Sequence, residues 1–232
     1  MKIIFLIFSA FVFTNGYAQK TDRVLEKKVA SVINGFHGEV GVYIYSFNNN
    51  KQVSINADTI FPTASMVKVP ILIGVMHKIS NGELGYHQSM TYTDSLYYSE
   101  GDDMLASFKS GEKIELSKIL LLMMSTSDNA ASLWLQGLAG SGTLINKYLD
   151  SLGIKDTRVN SRTPGRQQAR SEYGWGQTTP KEMATLMKLI VEKKIINDVI
   201  SERMLRLMSR QYWDEVAISS IPPDVFVADK NG

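Results

Sequence analysis

Two places in the 232-residue chain put a serine hydroxyl three positions before a lysine amine. One is Ser65 and Lys68, within Phe61-Pro62-Thr63-Ala64-Ser65-Met66-Val67-Lys68-Val69-Pro70; the other is Ser110 and Lys113, within Ser110-Gly111-Glu112-Lys113. Residues three apart share one face of a helix. A serine hydroxyl becomes a useful nucleophile only when a neighbouring base takes its proton, so either pair suits covalent acyl transfer. Their settings separate them. Ser110 lies in a polar stretch with a glycine, whereas Ser65 opens a long apolar run in which a helix N-terminus offers N–H groups and a dipole to a developing anion. The Ser110 pair is read as a coincidence of spacing.

Two further tripeptides carry suitable side chains. Ser127-Asp128-Asn129 falls between two helical patterns, and taken alone it is a helix cap, because those three residue types are the preferred capping residues. Lys230-Asn231-Gly232 taken alone reads as a turn. His37, His77 and His87 show no ligand pairing and the chain has no cysteine, so a metal site is not expected and no cofactor is implied.

The elements that must position these residues follow from periodicity. Val24, Leu25, Lys28, Val29, Val32 and Ile33 give a helical pattern that stops at Asn34-Gly35. A hairpin comes next, with strand formers over 40–47, a turn at Asn48-Asn49-Asn50 and a shorter return strand over 52–55. From Asp58 onward the chain is helical, with helices expected over 65–79, 116–124, 129–138, 142–152, 180–192 and 197–209. Thr179, Pro180 and Glu182 predict a capping box at the start of one of them. Met123 and Met124 are expected to fill core.

Two irregular stretches interrupt the helices, 91–112 and 156–179, and loops of that length are usually functional or disordered. Arg158, Arg162, Arg166 and Arg170 in the second are expected to be solvated or paired with local acids. After Pro222-Pro223, residues 224–229 read as a strand. The expected organisation is a signal peptide over 1–18, a sheet lobe from 19–56 and 216–232, and a helical lobe over 57–215.

The N-terminal reading rests on Lys2, the apolar run 3–13 and the small residues around Gly16-Tyr17-Ala18, with cleavage near Ala18. That run is too short to span a bilayer. An exported periplasmic or secreted protein without a stable membrane anchor, and a monomer, is the expectation. Roughly 210 residues remain, enough for a sizeable core. The formal charge of +2, with no basic block interleaved with aromatics, argues against nucleic acid and favours a small-molecule or peptide ligand.

Taken together and in order, Ser65-x-x-Lys68, Ser127-Asp128-Asn129 and Lys230-Asn231-Gly232 resemble the signature set of class A β-lactamases and penicillin-binding serine hydrolases. Class A enzymes are the nearer match because of the spacing of the first two motifs, the helical layout and Thr178-Thr179-Pro180-Lys181-Glu182-Met183-Ala184. The resemblance covers nearly the whole mature chain and implies a two-lobed α+β fold, with an antiparallel sheet lobe beside an all-helical one. It implies that Ser65 attacks the substrate carbonyl, Lys68 assists its deprotonation and Ser127 relays the proton to the leaving nitrogen. Asn129 would hold the substrate's side-chain amide, Lys230 and Asn231 would meet its carboxylate, Gly232 would leave room beside the strand, and Tyr98 would wall the pocket mouth. The implied substrates are β-lactams or D-alanyl peptides.

Three departures qualify what the resemblance implies. Counting along the 156–179 loop places the family's water-activating glutamate at Thr163 and its loop asparagine at Gln167; the nearest acid is Glu172. A positioned base is worth about 10²–10⁴-fold, so release of an acyl group would slow. Asn231 replaces the usual threonine or serine. The chain also ends where the family continues with two strands and a helix, so it is read as truncated, with a poorly folded sheet lobe and one oxyanion donor fewer, a loss of about 10²–10³-fold. A DD-peptidase-like acyl-transfer hydrolase and a penicillin-binding receptor that stays acylated remain as alternatives to the β-lactamase.

Overall fold

The computed structural model describes residues 20–98, 103–215 and 217–232. The expected signal peptide lies outside the described residues. Strand β1 (Lys20–Thr21) leads into helix α1 (Arg23–Ile33), whose N-cap Asp22 accepts a hydrogen bond from the Leu25 N–H at 3.1 Å. The helix ends at Asn34, and Gly35 follows at φ +85°, a conformation that costs glycine nothing. The hairpin then forms from β2 (Val42–Tyr45) and β3 (Lys51–Ile55), antiparallel, with Val42 opposite Ile55 and Tyr45 opposite Gln52. β1 pairs in parallel with β3, giving the order β1-β3-β2.

Strand β4 (Phe61–Pro62) is followed by a 3₁₀ turn, Ala64–Val67, and by helix α2 (Lys68–Ser80). The expected helix over 65–79 therefore changes type at Lys68. Pro70 explains the change: it has no N–H to offer the Met66 carbonyl four residues back, so the preceding turn closes by tighter i→i−3 bonds, including Lys68 N–H to Ser65 O. Every residue of α2 from Lys68 to Met76 is buried. It is the axis of the core.

Strands β5 (Ser89–Thr91) and β6 (Lys113–Glu115) pair with each other, and helices α3 (Leu116–Ser125), α4 (Asn129–Leu138) and α5 (Ser141–Ser151) follow. The Ser110 pair falls in the turn and strand leading into α3, so no helix brings its two side chains to one face. Strand β7 (Arg158–Val159), helix α6 (Gln167–Tyr173) and strand β8 (Gly176–Thr178) occupy the stretch expected to be irregular. Helices α7 (Pro180–Val191) and α8 (Asp198–Met208) complete the regular structure. α3, α4, α5 and α8 pack around α2, while α7 packs on α8 and on β2. Met123 and Met124 are buried in this core, as expected.

Two sequence expectations fail here. Glu182 does not close a capping box on Thr179; its carboxylate accepts three consecutive loop N–H groups, Lys155 at 2.7 Å, Asp156 at 3.0 Å and Thr157 at 2.5 Å. Three donors converging on one carboxylate outcompete a single cap N–H. Thr179 itself does cap α7, accepting from Glu182 N–H at 3.1 Å. Residues 224–229 form no strand. Their backbone groups go elsewhere, with Val225 N–H bonding Pro222 O in a turn and Asp229 N–H bonding Met208 O at the end of α8. Pro222 and Pro223, which lack N–H donors, turn the chain just before it.

The candidate site sits where a third small sheet meets α2. In it β4 pairs with β8 and β8 with β7, with Phe61 opposite Thr178 and Val159 opposite Gly176. This sheet clamps the segment before Ser65 to both ends of the 156–179 loop. Among the described residues no helix is long and apolar enough to cross a membrane.

Candidate active site

The 3₁₀ turn positions the first pair. In that turn side chains three apart eclipse each other, and Lys68 Nζ lies 2.8 Å from Ser65 Oγ. The residue before the serine, Ala64, is held at φ +41°, and Ser127 at φ +63°; both are unusual for residues with a Cβ and together they bracket the site.

Lys68 Nζ has three other partners: Ser127 Oγ at 2.9 Å, Ser127 O at 2.5 Å and Asn129 Oδ1 at 2.9 Å. Two of the four contacting atoms are carbonyl oxygens, which only accept. A neutral amine donating its two N–H groups to them keeps its lone pair for a hydroxyl. The side chain is fully buried, and burial together with the nearby Lys230 charge pulls its pKa down to about 7, against the opposing pull of Asp103 and Asp128. A lysine so tuned exchanges its proton near neutral pH.

The Ser127-Asp128-Asn129 tripeptide divides its work. Asp128 is a helix cap, accepting from Ala131 N–H at 2.7 Å through one oxygen and from Leu105 N–H at 3.0 Å through the other. Ser127 and Asn129 face Lys68. Asp103, which no sequence motif marks, supplies a second cap by accepting from Asn129 N–H at 2.7 Å and Ala130 N–H at 3.1 Å. Its carboxyl is raised above the ordinary aspartate range by burial, with the two backbone bonds pulling the other way.

The terminal motif arrives differently. Lys230 is nearly buried, and its ammonium donates to Asn231 O at 3.0 Å and Asn231 Oδ1 at 2.8 Å. Burial lowers its pKa to about 8, against the pull of Asp229. Gly232 presses on the turn that carries Ser65: a Cβ there would come within 2.5 Å of Thr63 O and 3.3 Å of Met66 N. The close approach is thus to the backbone around Ser65.

A cavity of about 460 Å³ opens over the pair. Ser65, Lys68, Asn129 and Tyr98 line it, joined by Glu172, Tyr173 and Trp175 from the far loop. Tyr98 and Trp175 meet edge to face with ring centroids 5.4 Å apart. Trp175 was marked in sequence only as part of an irregular stretch, and Glu172 only as the nearest acid. Helix α6 brings Glu172 to the cavity.

Thr163 does not line the cavity. It is buried against α5, its hydroxyl bonding Ser161 O at 2.9 Å, and a Cβ on Gly142 would collide with it. Gln167 is exposed on α6 and also lies outside the lining. Arg158 pairs with Asp150 at 2.5 Å, as expected of a loop arginine, but Arg166 does not follow that rule. Its guanidinium bonds two amide oxygens, Asn160 Oδ1 at 2.9 Å and Gln177 Oε1 at 2.6 Å, tying α6 to β8. The loop interior offers carbonyls and no carboxylate, so the guanidinium takes those.

The α+β arrangement, with a serine and a lysine on the turn opening the central helix, is that of the class A β-lactamase and penicillin-binding superfamily. Residues 23–232 match the beta-lactamase enzyme family, and the chain belongs to it. It is 24% identical over 238 residues to beta-lactamase VEB-1 of Pseudomonas aeruginosa, covering 100% of this chain and 79% of that protein. The fold is similar to that of PBP-A, with a TM-score of 0.81 at 21% identity over 92% of this chain and 78% of the other. It is also similar to a class A beta-lactamase from Bacteroides cellulosilyticus, with a TM-score of 0.79 at 21% identity, over 92% and 77% of the two chains.

Proposed function

We propose that this chain is an exported serine β-lactamase that opens β-lactams through an acyl-enzyme on Ser65. The observation that carries the reading is the 2.8 Å contact between Ser65 Oγ and a buried Lys68 whose pKa is near 7. Lys68, neutral, takes the Ser65 proton as Oγ bonds to the lactam carbonyl carbon. The carbon–nitrogen bond then breaks, and Ser127 Oγ hands a proton from Lys68 to the departing nitrogen. The Ser65 N–H faces the developing oxyanion. Asn129, its carbonyl engaged by Lys68, offers its amide N–H to the acyl side chain. Lys230, with the Asn231 amide beside it, attracts the substrate carboxylate. Gly232 keeps the terminal segment close to the Ser65 turn, and Tyr98 walls the mouth. Water completes hydrolysis of the ester.

A second reading has its own support. Thr163 stands at the counted position of the family's water-activating glutamate and packs against α5, away from the cavity lining. An acyl-enzyme that forms readily and clears slowly, as in a DD-peptidase or a penicillin-binding receptor, fits that observation.

Intact-mass spectrometry of the protein mixed with benzylpenicillin, followed over time, tests both. The expected result is an adduct on the wild type and none on Ser65→Ala. Loss of the adduct within seconds to minutes supports a β-lactamase, and persistence over hours supports the second reading. A wild type that never gains mass sinks the assignment of Ser65.

A further inference from the structure

The Ser65 cavity is polarised from floor to mouth. Its floor holds Lys68, and behind it Lys230, which does not itself line the cavity, lies close enough to depress the Lys68 pKa. Its mouth carries the opposite character. Glu172 is exposed there and is the one carboxylate among the described lining residues. The rings of Tyr98, Tyr173 and Trp175, all partly exposed, stand around it. Among the described residues no lysine or arginine pairs with Glu172. The neighbouring Arg166 is spent on Asn160 and Gln177, and Arg158 on Asp150. The adjacent Glu172 carboxylate raises the Tyr173 pKa, by favouring the protonated hydroxyl. Gly174, at φ +70°, then turns the chain so that Tyr173 and Trp175 both face the cavity.

A carboxylate surrounded by aromatic rings is a cation site, because ring faces carry negative charge and attract an ammonium group. Resting on the Ser65 acylation reading, we propose that this mouth is a subsite for an ammonium group, so that the preferred substrates are zwitterions. Their carboxylate goes toward Lys230, and a cationic amine on the acyl side chain goes between Glu172 and the rings. The two ends of such a substrate match Lys230 and Glu172 in sign. No bond forms or breaks at Glu172 in this role; it acts on substrate choice.

A matched pair of penicillins provides the test. Benzylpenicillin and ampicillin differ by one α-amine, which is charged at about pH 6.5. A cation–π contact together with an exposed ion pair is worth about 1–1.5 kcal/mol, or roughly tenfold. Ser65→Ala, read by quenching of tryptophan fluorescence, is expected to bind ampicillin about tenfold tighter than benzylpenicillin. Adding Glu172→Gln should remove most of that difference by weakening ampicillin alone, and raised salt should shrink it. Equal affinity of Ser65→Ala for the two penicillins overturns the subsite. A Glu172→Gln change that weakens both equally also overturns it and assigns Glu172 a positioning role. Because binding is read without acylation, a wild type that fails to acylate refutes the Ser65 reading while leaving the subsite to be judged on its own result.

Discussion

On the proposed acylation reading, two buried amines set the pH behaviour of this site. Lys68, with a pKa near 7, is mostly neutral just above neutrality and can accept the Ser65 proton; as pH falls through 7 it becomes an ammonium and loses that capacity. Lys230, with a pKa near 8, is charged below that value and, in its proposed role, would lose its attraction for a substrate carboxylate as pH rises through it. The acylation rate with benzylpenicillin is therefore expected to rise through about pH 7 and fall above about pH 8, a narrow bell. Lys230→Arg, which stays charged, should move the alkaline limb upward and leave the acid limb in place. Stopped-flow or quenched mass measurements across pH 5.5–9.5 check both limbs, and a profile flat across pH 7 sinks Lys68 as the base. Lys68→Met should slow acylation about 10²–10⁴-fold. At this scale the spacing of Ser65, Lys68, Ser127 and Asn129 was legible because each motif is local. Asp103 was not, because it reaches α4 from a segment 26 residues earlier and no pattern near it announces a cap.

The elements that hold these residues divide by length. Long helices such as α3, α4 and α7 were readable from apolar periodicity to within a residue or two at their ends. The β4-β8-β7 sheet was not, because strands of two or three residues are too short to show an alternation. Yet that sheet, with α6, decides which loop residues meet the cavity. It turns Thr163 into the protein, where the hydroxyl is satisfied by Ser161 O and the neighbouring Gly142 leaves no spare volume. A glutamate at 163 would carry a charge into that space without a partner. Thr163→Glu is thus expected to lower stability by about 3 kcal/mol and to bring no acceleration of adduct loss. Chemical denaturation and the time course of the penicillin adduct measure the two effects separately. Faster adduct loss in the variant would show that the loop admits a carboxylate at the reacting centre.

Across the whole molecule, burial is uneven in a way that predicts how it opens. α2 is buried from Lys68 to Met76, and α3, α4, α5 and α8 pack around it. The N-terminal unit is different. α1 has no buried residue and β2 none, leaving Val53 of β3 and Ala57 as the only fully buried apolar anchors over 20–60 among the described residues. Phe36 and Phe47 remain exposed, and β2 lies at the edge of its sheet. Elements with few buried apolar contacts open locally at low cost, while the core opens only with the global transition. Amide hydrogen exchange under native conditions is therefore expected to show α1, β2 and β3 exchanging at least about a hundredfold faster than α2 and α4, a gap of about 3 kcal/mol in opening free energy. The apparent thermal transition should report the helical core. The hairpin is formed and weakly anchored. Uniform protection from α1 through α4 would overturn it, since a single cooperative unit cannot have so uneven a distribution of opening energies.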